Sequence, residues 1–212
     1  MPPLLIWIKS DFPLRPDTDF LPPLRAAQSM LEFARSKIMY DFKNGLSETL
    51  NDGSRVVIRP ISAADAELER EFIENLSPDS RRQRFLNHIK HPTPELIRQL
   101  TDIDQLQHVA LMALVEVGGQ QRAVGVSRYV LDDDGHSGEC ALVVADDWRN
   151  RGLGTLLMAR LLEIARSRKI KKLYSIDSSE NFRIQSLVKR MGFQSHLDPR
   201  DATQIVHTKY LG

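Results

Sequence analysis

Between Glu139 and Thr155 an apolar run, Ala141-Leu142-Val143-Val144-Ala145, leads through Asp146-Asp147-Trp148 into Arg149-Asn150-Arg151-Gly152-Leu153-Gly154-Thr155. The run reads as a buried strand, and the residues after the glycines carry a helical period. A strand that empties through a basic, glycine-spaced turn into a helix N-terminus can hold phosphate. Main-chain N–H groups are left unpaired there, and the helix dipole adds positive potential. Gly152 and Gly154 lack the Cβ that would keep an anion away from the backbone. A dinucleotide fingerprint competes for spaced glycines, but it needs GxGxxG near the start of its domain. Here the order is RxxGxG, late in the chain. The bland alternative is a strand–helix turn whose glycines serve packing and whose arginines are solvated.

Other reactive side chains give weaker signals. Cys140 is the only cysteine, so no intrachain disulfide forms, and inside an apolar strand it reads as a small hydrophobe. His88 and His91 lack carboxylate or thiol partners at zinc spacing, so no metal is expected. Asp132-Asp133-Asp134-Gly135 reads as a turn rather than a calcium loop. The basic run Arg166, Arg168, Lys169, Lys171 and Lys172 reads as a solvated helix end that complements the dipole, with a phosphate contact as the alternative.

The elements that must position the turn can be read around it. Asn51-Asp52-Gly53 is a turn before a strand over 54–59, closed by Pro60. Ser62 caps a helix over 63–75, Ser77-Pro78 opens one to about Phe85, and Thr93-Pro94-Glu95 opens another to about Leu100. Strands over 108–117 and 122–131 join at Gly118-Gly119 as a hairpin. After the glycine turn come a helix to about Arg168, a strand over 173–177, a helix over 181–191 stopped by Gly192, and a strand over 205–210. The order implies an α+β fold: a mixed, mainly antiparallel twisted sheet with helices on both faces.

Residues 1–24 hold six of the eleven prolines and no sustained period, and 24–43 carries a helical pattern. Residues 1–50 are therefore expected to form an N-terminal extension, and 51–212 the domain proper. With 212 residues and a formal charge of +1, the chain can bury a core but has no field to gather nucleic acid or an acidic membrane. No apolar run reaches membrane-span length, and a cytoplasmic location is expected.

Arg149 to Gly154, with the strand before and the helix after, resembles motif A of the GNAT superfamily of acetyl-CoA-dependent N-acetyltransferases. Asn181 to Phe193 resembles that family's next helix, and Ser54 to Ile61 with Asp65 resembles its opening strand and helix. The resemblance implies acetyl-CoA as cosubstrate and direct attack of an amine on the thioester. The amides of Arg151, Gly152, Leu153, Gly154 and Thr155 would grip the diphosphate, with the side chains of Arg149 and Arg151 nearby. The Val144 N–H would polarise the carbonyl, and Asn181 would contact the pantetheine arm.

An amine with a pKa of about 10.4 needs a base at neutral pH. Glu139, where many members of the family place a glutamate, is the candidate, in apolar surroundings that could raise its pKa. The alternative is an exposed strand-end residue paired with Arg128. Many members carry a tyrosine seven residues after the asparagine to protonate the leaving thiolate; here Val188 stands there, so another group, water or unaided departure must serve.

The run Leu76-Ser77-Pro78-Asp79-Ser80-Arg81-Arg82, with Arg84-Phe85 and Pro94-Glu95-Leu96, is most similar to the acetyltransferase domain of Pat-type bacterial protein-lysine acetyltransferases. The acceptor implied is a primary amine, on a protein lysine or a small molecule such as an antibiotic or polyamine. A non-catalytic acyl-CoA sensor is the other alternative, and a homodimer is compatible with the pattern.

Overall fold

The computed structural model describes residues 45–85 and 91–212. The proline-rich segment, the helix expected over 24–43 and His88 lie outside the described residues. Eight strands form one sheet among them: β1 (Leu46–Thr49), β2 (Arg55–Pro60), β3 (His108–Val117), β4 (Gln120–Leu131), β5 (Ser137–Val144), β6 (Lys172–Ser178), β7 (Gln194–Asp198) and β8 (Asp201–Tyr210). Their spatial order is β1-β2-β3-β4-β5-β6-β8-β7. Every neighbouring pair is antiparallel except β5 and β6. The helices are α1 (Ala66–Asn75), α2 (Pro78–Phe85), α3 (Pro94–Thr101), α4 (Leu153–Ser167) and α5 (Phe182–Arg190). This is the expected α+β architecture.

The long β3–β4 hairpin turns on Gly118 and Gly119, both at positive φ (+60° and +81°), the conformation that a two-residue primed turn requires. From there β4 alternates between two helical layers. Gly125 lies under α4, where a Cβ would fall 2.8 Å from Leu157 Cδ1, and Ser127 Oγ donates to the Leu157 carbonyl at 3.2 Å. Arg128 points the other way. Its guanidinium donates to Glu69 on α1 at 2.8 Å and to the Leu100 carbonyl at 3.1 Å. Helices therefore cover both faces, α4 on one and α1 on the other.

Arg128 and Glu69 are both buried. The pairing suggested for Arg128 with Glu139 is thus corrected: Arg128 stands opposite Ala141 in the β4–β5 register, and Val130 stands opposite Glu139. Removing one partner of a buried pair strands the other charge in the interior. Arg128→Met should cost about 3–5 kcal/mol in chemical denaturation, and adding Glu69→Met should restore most of it. If the double variant is no more stable than the single one, the pair is not the origin of the loss.

Two strands were not expected. β1 lies ahead of the Asn51 boundary yet pairs with β2 from Leu46↔Ile58 to Thr49↔Arg55, and Glu48 accepts from Arg160 on α4. β7 is a short outer strand with four exposed residues, paired with β8. The basic run also departs from its expected solvation at one point. Arg168 is buried and donates to the Leu106 carbonyl and the Tyr129 hydroxyl, each at 3.2 Å. The Asp132–Gly135 turn is as expected: Asp134 Oδ1 accepts from the N–H groups of His136 and Ser137.

Candidate active site

β5 and β6 pair for three residues only, Ser137, Gly138 and Glu139 against Lys172, Leu173 and Tyr174. Beyond them the strands part. β5 stays bonded to β4 as far as Val144, and β6 stays bonded to β8 as far as Ser178. Each wall is fixed from behind, so the wedge between them persists as a cleft of ≈ 750 Å³. Glu139 lies where the strands diverge. Cys140 to Val144 form one wall, Ser175 to Asp177 the other, and Arg149, Gly152, Gly154 and Thr155 line the mouth.

Strand alternation aims the wall's donors. The Ala145 N–H reaches back to the Val124 carbonyl on β4 at 2.9 Å, so the Val144 N–H points the opposite way, into the wedge. At the mouth, Gly152 caps α4 at φ +90°, and Asn150 two residues earlier also has positive φ (+61°). Leu153, Gly154 and Thr155 then open α4, where helix geometry supplies no intrahelical carbonyl for their amides. These donors and the dipole converge at one end of the cleft, the chemistry an anionic diphosphate requires.

The glycines divide the work differently from the sequence expectation. Gly152 is required by its positive φ, and a Cβ there would also fall 2.9 Å from Asn51 Nδ2. At Gly154 a Cβ would fall 3.0 Å from Leu187 Cδ1, so its bareness also seats α5 beside α4. Leu153 has a buried side chain and offers the cleft main chain only.

Arg151 differs more. Its guanidinium donates to Asp52 Oδ2 (3.0 Å), Ser54 Oγ (3.3 Å) and the Asp147 carbonyl (2.9 Å), and it stacks on Trp148. The side chain ties the turn to the β1–β2 loop and does not line the cleft. Arg149 does line it, held by Asp146 at 2.9 Å and by Ser80. Asn181 also lines the cleft, while its Oδ1 caps α5 by accepting from Ile184 N at 3.3 Å.

Asp146 escaped the sequence reading. Its carboxylate accepts from Ser77 N, Ser77 Oγ and Ser80 Oγ at 2.8–2.9 Å, and it pairs with Arg149. It thereby ties the start of α2 to the glycine turn. Burial opposes its ionisation, but the Ser77 amide, the two hydroxyls and Arg149 outweigh that and hold its carboxyl below the ordinary 3.8. A depressed native pKa contributes stability above the unfolded value, and that contribution is lost as pH falls through the native one. Asp146→Asn should cost about 1–2 kcal/mol at neutral pH and nothing once the wild-type carboxyl is protonated, read from denaturation midpoints across pH. An equal loss at every pH would contradict this.

Arg84 on α2 also lines the cleft, among Glu69, Glu139 and Asp177. Burial and the Arg128 cation push its guanidinium down to about 10, still charged at neutral pH, while the three carboxylates oppose that fall. Cys140 is buried, and burial pushes its thiol up, which argues against a nucleophile. Val188, at the position of the family's tyrosine, is a fully buried core residue. Among the described residues no group of side chains is arranged to hold a metal ion, and no helix is long and apolar enough to cross a membrane.

A sheet opened by a splayed parallel pair, with a glycine-turn helix N-terminus at the mouth, is the architecture of the GNAT acyltransferases. The model of the Acetyltransferase (GNAT) family matches residues 71–193, and the chain belongs to that family. It is 43% identical over 160 residues to Acetyltransferase PA5475 of Pseudomonas aeruginosa, covering 76% of this chain and 86% of that protein. It is 24% identical over 143 residues to Acetyltransferase Pat of Mycolicibacterium smegmatis, covering 66% of this chain but only 41% of that longer protein. The GNAT domain of S. lividans PAT superposes with a TM-score of 0.71 at 22% identity, over 79% of this chain and 97% of that domain.

Proposed function

We propose that the protein transfers the acetyl group of acetyl-CoA directly to a primary amine. The observation that carries this reading is the wedge between β5 and β6, with main-chain donors at its mouth and Glu139 where the strands part. The diphosphate sits on the amides of Arg151 to Thr155, with Arg149 beside it. The pantetheine arm runs along β5 past Asn181, and the Val144 N–H donates to the thioester oxygen as negative charge develops there. Glu139 takes a proton from the ammonium. The neutral amine nitrogen attacks the carbonyl carbon, the C–S bond breaks with its electron pair passing to sulfur, and the nitrogen sheds its second proton through Glu139 to solvent.

The similarity to Pat favours a lysine side chain of a protein as the acceptor. A small-molecule amine is the alternative acceptor, and an acyl-CoA sensor keeps the binding half of the reading without turnover. CoA release from acetyl-CoA, followed with lysine peptides, acyl-CoA synthetases, polyamines and aminoglycosides as acceptors, tests it. Amine-dependent release supports transfer, and binding of acetyl-CoA without release to any of them contradicts it.

A further inference from the structure

The wall of the cleft opposite Glu139 carries a second carboxyl group. Asp177, on β6, lines the cleft with 16% of its side chain exposed. Ser175 Oγ donates to its Oδ2 at 2.8 Å. Behind it, His207 on β8 is fully buried, with Nε2 4.0 Å from the same oxygen and without a hydrogen-bond partner among the described residues. The other ring nitrogen, Nδ1, is 2.6 Å from Ser195 Oγ on the outer strand β7, where Ser195 is exposed. The row Ser195–His207–Asp177 therefore runs from solvent to the cleft.

The faces of the sheet separate the two carboxyls. Glu139 and Tyr174 are register partners and share a face, so alternation along β6 puts Asp177, three residues on, on the other. That other face is α4's, because Leu142 and Val144 on β5 pack beside Gly154. Glu139 thus belongs to the face of α1, and Asp177 to the face of the glycine turn.

We propose that Asp177 is the acid that protonates the departing CoA sulfur, with His207 and Ser195 resupplying its proton from solvent. The inference rests on the acetyl-transfer reading above. A diphosphate on the glycine turn brings the thiol end in on Asp177's face, while the amine meets Glu139. As the C–S bond breaks, the Asp177 O–H proton passes to sulfur, giving CoASH and a carboxylate. The ammonium gives up two protons through Glu139 to solvent, one before attack and one as the amide forms, and one proton re-enters along Ser195 and His207 to Asp177, so each turnover releases one net proton.

The surroundings suit the role. Burial lifts the Asp177 carboxyl above the usual carboxylate range, against the pull of Ser175 and of Arg84 on α2. Burial, with His196 adding to it, pushes the His207 imidazole below its usual range. From β5, Cys140 shares this face with its thiol pushed up by burial, while Glu139 lies across the sheet on the face of α1.

The experiment compares wild type and Asp177→Asn with acetyl-CoA and with its selenium analogue, using Nα-acetyl-lysine amide and a lysine peptide as acceptors. A selenolate needs no proton to leave. The variant's kcat should fall on the order of 100-fold with acetyl-CoA and by less than about threefold with the selenoester. Its kcat–pH profile should also lose the high-pH decline that an essential acid imposes on wild type. Calorimetric CoA binding equal to wild type would show the cleft intact. Equal losses with both esters, or none, overturn the proposal while leaving the transferase reading in place; wild type that transfers from neither ester overturns both.

Discussion

Glu139→Gln lowers kcat by roughly 10²- to 10⁴-fold and leaves the dissociation constant for acetyl-CoA within about threefold of wild type, the range expected when a general base is removed without disturbing a binding site. Gln keeps the shape of a side chain that is only 6% exposed, and it sits where β5 and β6 part, remote from the turn that would hold the diphosphate. Amines already unprotonated at neutral pH should be affected least, because the missing base then has less to do. Steady-state transfer and calorimetry on the same preparations separate the outcomes. Loss of rate together with loss of cofactor would make Glu139 structural, and no loss of rate would remove it from the mechanism.

Gly152→Val raises the acetyl-CoA dissociation constant about 10- to 100-fold. Left-handed backbone at φ +90° costs a β-branched residue about 1–3 kcal/mol, and each 1.4 kcal/mol is a factor of ten in affinity. The new Cβ would also meet Asn51 Nδ2 at 2.9 Å, at the seam between the turn and the β1–β2 loop. The matching change at Gly154 acts otherwise, by pressing on Leu187 and loosening α5. Its signature is lower stability as well as weaker binding. If Gly152→Val binds acetyl-CoA as wild type does, the amides of this turn do not carry the cofactor.

The elements legible in the sequence are those whose signals are local. Gly118-Gly119 between two strand-length runs gives the β3–β4 hairpin, and Thr93 caps α3 as its Thr-Pro-Glu pattern implies, with Oγ1 accepting from Leu96 N at 3.1 Å. The glycine turn is legible for the same reason, since a strand, two glycines and a helical period lie in one stretch. β1 and β7 are not. Leu46–Thr49 is four residues of half-buried edge, and Gln194–Asp198 has one buried residue, so neither carries an apolar alternation to read. They are strands because a neighbour offers its edge.

The site divides along the same line. Glu139, Val144 and the turn could be placed by motif, whereas the tie from Asp146 to Ser77 and Ser80 spans 66 to 69 residues of sequence. The partner of Arg128 is 59 residues away. Asp177 and His207 meet only because β8 returns beside β6, with Ser175 opposite His207. Arg151 shows the converse. Its motif position is right for the turn, yet Asp52 and Ser54 across the β1–β2 loop claim its guanidinium.

Calorimetric titration of acetyl-CoA into the wild-type chain tests most directly whether the wedge between β5 and β6 is an acyl-CoA site. One saturating binding event per chain is the predicted result, weakened in Gly152→Val and unchanged in Glu139→Gln. A folded wild-type protein that gives no binding heat with acetyl-CoA or CoA would contradict it.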